Sequence, residues 1–101
     1  MIFQDTFFIV ANRTIHMQQF PLPLSYYQQQ FSNLKLTDKE WISVKCCFHE
    51  DRHPSLRLNL NNGSFRCFGC DARGGSIIAF HCQRYQLTFV QTILALGGQY
   101  A

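Results

Sequence analysis

The stretch CCFHEDRHPSLRLNLNNGSFRCFGC, from Cys46 to Cys70, holds four of the five cysteines and two of the four histidines of a 101-residue chain. Its skeleton is Cys46-x2-His49, seventeen intervening residues, then Cys67-x2-Cys70. Each two-residue spacing sets a pair of ligand-type side chains on one tight knuckle. Between the knuckles Leu56, Leu58 and Leu60 alternate with Arg57 and Asn59, and Asn62-Gly63 is a strong hairpin signal. A strand, a turn and a second strand therefore bring the knuckles together. Three thiolates and one imidazole complete a closed tetrahedron for one Zn(II) per chain, a structural site with no open position for substrate.

Other readings of the same residues are weaker. Cys47-x-His49 is one residue too tight for the usual knuckle, so Cys46 is assigned to the metal. A redox Cys-x-x-Cys belongs between a strand and a helix of a larger fold. His16 and His53 read as surface residues, His81 and Cys82 as packing residues, and Asp71 as a solvated loop charge. No paired acidic constellation is present to hold two magnesium ions, and no nucleophile-base-orienter set, so no catalytic residue is assigned.

A two-residue turn at Asn62-Gly63 predicts that Leu60 faces Phe65, Asn59 faces Arg66 and Leu58 faces Cys67. One face of the hairpin is then apolar, and the other carries Arg57, Asn59 and Arg66. Downstream, Gly74-Gly75-Ser76 opens a helical run with Ile77, Ile78, His81, Cys82 and Tyr85 on one face. Thr88-x-x-Gln91 has capping-box spacing, and Gly97-Gly98 stops the final helix. Upstream, Pro21-Leu22-Pro23 breaks an aromatic, Gln-rich segment, and a short helix is expected with Ser25 as its N-cap and Tyr27, Phe31 and Leu34 at helical spacing.

Composition bounds the rest. Hydrophobic residues make up 47%, with ten Phe, which is enough for a small core. The net charge of +3 tilts only mildly toward polyanions. The opening MIFQDTFFIVA lacks a basic lead and carries Asp5, and no stretch approaches the length of a membrane span. A cytoplasmic protein with no membrane partner is expected, and in that compartment clustered thiols bind metal more readily than they form disulfides.

Cys46-Cys47-Phe48-His49-Glu50, His53-Pro54-Ser55-Leu56, Phe65-Arg66-Cys67-Phe68-Gly69-Cys70 and Gly74-Gly75 together resemble the Cys-His-Cys-Cys zinc-binding domain of bacterial and phage DNA primases. The resemblance covers about residues 40 to 97. Cys47 stands where that family has Pro, Leu56 where it has Phe, and Asp71 where it usually has Gly. What the resemblance implies is an α+β fold, a zinc ribbon whose small antiparallel sheet is flanked by helices and which contacts single-stranded template. Residues 1–36 are then an N-terminal segment with a short helix, and 37–101 the zinc-binding domain with C-terminal helices.

The function expected on that basis is a single-stranded DNA-binding accessory module, working in trans with a primase polymerising subunit or a helicase. Lys45, Arg57, Arg66, Phe68 and Arg73 are its candidate nucleic-acid contacts, with Phe48 and Phe65 as further candidate stacking rings. A protein-interaction or regulatory ribbon without DNA binding is the alternative. Tyr26, Tyr27, Phe7 and Phe8 are candidates for a partner contact, with the core as the competing reading for the tyrosines. Deleting residues 1–30 is expected to spare zinc binding.

Overall fold

The computed structural model describes the backbone of residues 7–10, 13–16, 20–97 and 99–100, and the side chains of residues 20–97. Its centre is a four-stranded antiparallel sheet of β3 (Trp41–Val44), β4 (Leu56–Asn59), β5 (Phe65–Cys67) and β6 (Arg73–Gly74), in that spatial order. Three helices accompany it: α1 (Pro23–Gln30), α2 (Ile77–Tyr85) and α3 (Phe89–Ala95). A second sheet, which the sequence pattern does not announce, joins β1 (Phe7–Val10), β2 (Arg13–His16) and β7 (Gln99–Tyr100) in that order. Phe7, Phe8 and His16 contribute backbone to it, and their side chains lie outside the described residues. The α+β zinc-ribbon architecture is as expected.

The hairpin register differs from the expected one by two residues. Leu58 pairs with Phe65, Arg57 with Arg66 and Leu56 with Cys67. The cause is Asn59, whose side-chain oxygen accepts hydrogen bonds from the amides of Asn61 and Asn62, both at 2.9 Å. That bond pattern closes a four-residue loop, Leu60 to Gly63, between Asn59 and Ser64. Only Gly63 takes a positive φ, +82°, whereas the expected two-residue turn needs it at Asn62 as well. A shift of two preserves the faces, so Leu56, Leu58, Phe65 and Cys67 still point to the core.

Helix α1 begins two residues before the expected cap. Pro23 occupies its first turn, where its fixed φ suits the helix and its missing N–H costs nothing, and Leu22 is the N-cap with no side-chain bond. Ser76 caps α2, and the capping box at Thr88 and Gln91 opens α3 as read from sequence.

Phe80, fully buried on α2, organises the core. The rings of Tyr26, Tyr27, Phe31, Phe48 and Phe65 stand edge-on around it, with centroids 5.1 to 6.0 Å away. Such pairs contribute about 0.5–1.5 kcal/mol beyond burial. Tyr26 and Tyr27 are therefore core residues, and neither is free to dock a partner. Their hydroxyls are satisfied: Tyr27 donates to the Gly63 carbonyl at 2.6 Å, and Tyr26 meets His81 Nδ1 at 2.6 Å. Burial pushes both phenols above their ordinary range. A deletion through residue 30 removes both rings from this core, so its effect is expected on stability as well as on any partner contact. His81 and Cys82 pack, as expected: His81 lies 4.6 Å from the Tyr85 ring, and Cys82 Sγ meets Thr92 Oγ1 at 3.1 Å.

Candidate metal centre

The two knuckles sit at one end of the sheet. Cys46 follows β3 by two residues, and Cys67 is the last residue of β5. Because β4 lies between β3 and β5, pairing with both, the turns after those strands are carried to the same place. In each knuckle the cysteine sulfur accepts from the amide two residues on: Phe48 N–H donates to Cys46 Sγ and Gly69 N–H to Cys67 Sγ, both at 3.3 Å. These bonds curl the chain so that the fourth residue, His49 or Cys70, returns toward the first.

The ligand atoms of Cys46, His49, Cys67 and Cys70 all lie within 4.8 Å of one another. Cys46 Sγ is 3.8 Å from Cys70 Sγ, and Cys67 Sγ is 3.9 Å from His49 Nδ1. A Zn–S bond of about 2.3 Å in a tetrahedron sets sulfur separations near 3.8 Å, so the spacing fits that ion. These four residues hold one zinc. Cys47, the competing thiol, is half-buried outside the group, with its carbonyl turned to the Arg84 guanidinium at 3.5 Å.

Gly69 is required by space. A Cβ there would lie 2.8 Å from His49 Nε2 and 2.9 Å from its Cε1, displacing the imidazole ligand. Burial raises the Cys46 thiol well above its usual pKa, with the neighbouring Cys67 and Cys70 adding to the rise. Burial acts in the same direction on Cys67, but contacts from Ser55 and the amides of Gly69 and Cys70 outweigh it and hold that thiol below the usual value. A bound cation is what compensates thiolate charge at the buried Cys46.

Asp51 was not singled out from sequence, yet it braces the first knuckle. Its carboxylate accepts from Cys46 N–H at 2.9 Å, Ser55 Oγ–H at 2.7 Å and Ser55 N–H at 3.3 Å. Those bonds, from the Cys46 amide first, hold its pKa far below the carboxylate range. Its other oxygen lies 3.7 Å from His49 Nε2, behind the ligating ring. The readable signal was an acidic residue in a loop whose amides have no strand to bond to.

The arrangement belongs to a known family. A CHC2 zinc finger, the zinc ribbon of DnaG, matches residues 25–101. The chain belongs to the CHC2 zinc-finger family. It is 36% identical over 68 residues to a DNA primase of Lactococcus lactis, covering 67% of this chain and 10% of that one. It is 39% identical over 54 residues to a DNA primase of Streptomyces coelicolor, covering 54% and 8%. A third DNA primase, from Buchnera aphidicola, is 38% identical over 64 residues, 63% of this chain and 11% of that one. The chain therefore spans about a tenth of the length of these curated relatives. No solved structure matches it significantly.

The finger carries a basic face on the side of the sheet opposite the core. Arg57 pairs across strands with Arg66, and Arg66 with Arg73, forming one row across β4, β5 and β6. Among the described residues no carboxylate lies within ion-pair distance of these three guanidiniums. Arg66 stacks on Phe68 at 5.2 Å, and Arg57 on Trp41 at 5.8 Å. Phe68 is 68% exposed. Phe48 and Phe65, the other rings considered for stacking, are turned inward against Phe80, 5.2 Å away in both cases. Lys45 is exposed just beyond β3. Among the described residues no helix is long and apolar enough to cross a membrane.

Proposed function

We propose that this CHC2 finger is a single-stranded DNA-binding accessory module of a replication-priming system, assisting template recognition by a primase or helicase acting in trans. The observation that carries the reading is the arginine row Arg57–Arg66–Arg73 with the exposed Phe68 ring beside it. Adjacent strands stand about 4.8 Å apart, so the row spaces positive charge at intervals a phosphodiester chain can follow, while Phe68 and Trp41 offer faces to bases. The metal centre contributes rigidity to this face and no chemistry, because its four ligands leave no position open.

Fluorescence anisotropy of labelled oligothymidylate across a salt series tests the proposal. Binding that weakens with salt is expected, and Arg57→Ala with Arg66→Ala should flatten the logarithmic slope by roughly 0.7 for each phosphate no longer neutralised, with zinc content unchanged. Salt-independent binding, or the same slope in the double variant, would sink it. Stimulation of primer synthesis by a partner primase, with none from this chain alone, tests action in trans.

A further inference from the structure

Strand β3 is an edge of the zinc-ribbon sheet. Leu60 N–H donates to the Glu40 carbonyl at 2.7 Å, and with Ile42 opposite Leu58 and Val44 opposite Leu56, residues 40, 42 and 44 direct their backbone groups toward β4. Bonded and non-bonded pairs alternate in an antiparallel ladder, so the N–H and C=O groups of Trp41 and Ser43 point outward. Among the described residues no backbone group pairs with them. Along this side lies a groove of about 710 Å³, with Phe31, Ile42 and Val44 as apolar lining and Lys35, Lys39 and Lys45 as its charged residues. Among the described residues no carboxylate lines it.

We propose that this edge and groove dock an extended acidic segment of a partner protein, which adds to β3 as a fifth strand. Two independent features select that occupant. The outward groups present donors and acceptors, and a peptide backbone answers both, whereas a phosphodiester backbone supplies acceptors alone and would leave the carbonyls of Trp41 and Ser43 unmatched. The lysines, with no counter-charge in the groove, select acidic side chains on the incoming strand. The site adjoins the arginine row at Arg57, whose guanidinium donates to Ser43 Oγ at 3.3 Å, but it is built from the outward backbone groups of β3 and the lysines, so it stands whether or not that row binds DNA.

The test uses the zinc-loaded full chain and a fluorescent strand-length peptide alternating Glu and Val. The peptide should bind, more weakly as salt rises. Ser43→Pro removes an outward N–H at an edge position where proline is tolerated, so it should retain zinc and lose peptide affinity by about tenfold or more. Should that variant fail to hold zinc, Lys35→Glu with Lys39→Glu gives the second reading: the acidic peptide is lost and a Lys-Val peptide is gained. Absence of peptide binding to the unaltered chain, or affinity that neither variant changes, overturns the proposal. So does an oligothymidylate that binds while the peptide does not, with affinity lost in the lysine variant; loss only in the Arg57 and Arg66 variants concerns the DNA face instead.

Discussion

The metal centre and the aromatic core of this molecule are held together by different physics. At the metal end, residues 46–55 and 67–71 form loops whose fixed points are sulfur, imidazole and the Asp51 carboxylate, joined by bonds to single amides. Behind it, Phe80 and the rings around it form a packed apolar cluster that draws in α1, α2 and the sheet. The first depends on an ion that the unfolded chain cannot hold in the same geometry. The second depends on surface removed from water, and it needs no cofactor. The contrast teaches that one small chain can join two kinds of anchor through shared residues: Cys46 and Cys67 belong to the buried core, and Phe48, between Cys46 and His49, packs on Phe80.

Chelation makes the largest break in this comparison. Structural zinc contributes on the order of 10 kcal/mol to folding in small domains, as much as the whole stability of many domains. Removing it should unfold the hairpin and both knuckles while leaving part of the aromatic cluster collapsed. Near-ultraviolet circular dichroism and amide exchange during chelator titration will separate the two anchors; full retention of native exchange at Cys46 through Cys70 would show that the metal is not the anchor of the hairpin.

Phe80→Ala attacks the aromatic core. Truncating a fully buried Phe costs about 3–5 kcal/mol, and here it leaves a cavity bordered by Tyr26, Tyr27, Phe31, Phe48 and Phe65. Zinc stoichiometry should survive at low temperature, since the four ligands are untouched by the substitution. The denaturation midpoint of the zinc-loaded protein is the measurement, and an unchanged midpoint would deny the cluster its role.

What the sequence disclosed follows the same division. The ligands were legible because a knuckle is local: Cys46 and His49, or Cys67 and Cys70, constrain each other across two residues. The aromatic anchor was not, because its closing bonds run between residues 55 apart, Tyr26 to His81 and Gln30 to Tyr85. No local pattern distinguishes such a tyrosine from an exposed one. The strand alternation of Leu56 and Leu58 was legible and the register was not, since the side chain of Asn59 overrode the turn preference of Asn62-Gly63. Strand β7 pairs with β2 from the other end of the chain, which period alone could not reveal, whereas β1 and β2 are neighbours in sequence.

Asp51→Asn sharpens the comparison within the metal end. The amide keeps the size of the carboxylate and can keep one oxygen on the Cys46 and Ser55 donors, but it loses the charge behind His49 and puts an NH2 group where an acceptor faced His49 and His53. Loss of an outer-shell partner typically weakens metal binding about 10- to 100-fold, and competition with a chromophoric chelator should read a loss in that range. An affinity equal to that of the unaltered chain would make Asp51 a mere loop residue.

The smallest effect is expected at Asp71, and its sign is the informative part. Asp71 holds φ at 60°, a left-handed conformation, where the resembling primase domains usually have glycine. The knuckle demands it: the Asp71 amide turns back to donate to the Cys67 carbonyl at 3.1 Å, and Cys67 N–H donates to the Ala72 carbonyl at 2.8 Å. An L side chain in that region costs about 1–2 kcal/mol, least for Asn and Asp, while glycine avoids the clash but loses more chain entropy on folding. The two terms oppose, and relief of strain should win narrowly, so Asp71→Gly is expected to stabilise the zinc-loaded protein by about 0.5–1 kcal/mol. Asp71→Val, branched at Cβ, should destabilise it by more than that and weaken zinc binding with it. Urea midpoints of the two variants provide the check: a glycine variant less stable than the aspartate would mean that the Asp71 side chain, exposed as it is, holds the turn through its own polarity, and the knuckle would then be tuned to this chain's residue and not to the backbone alone.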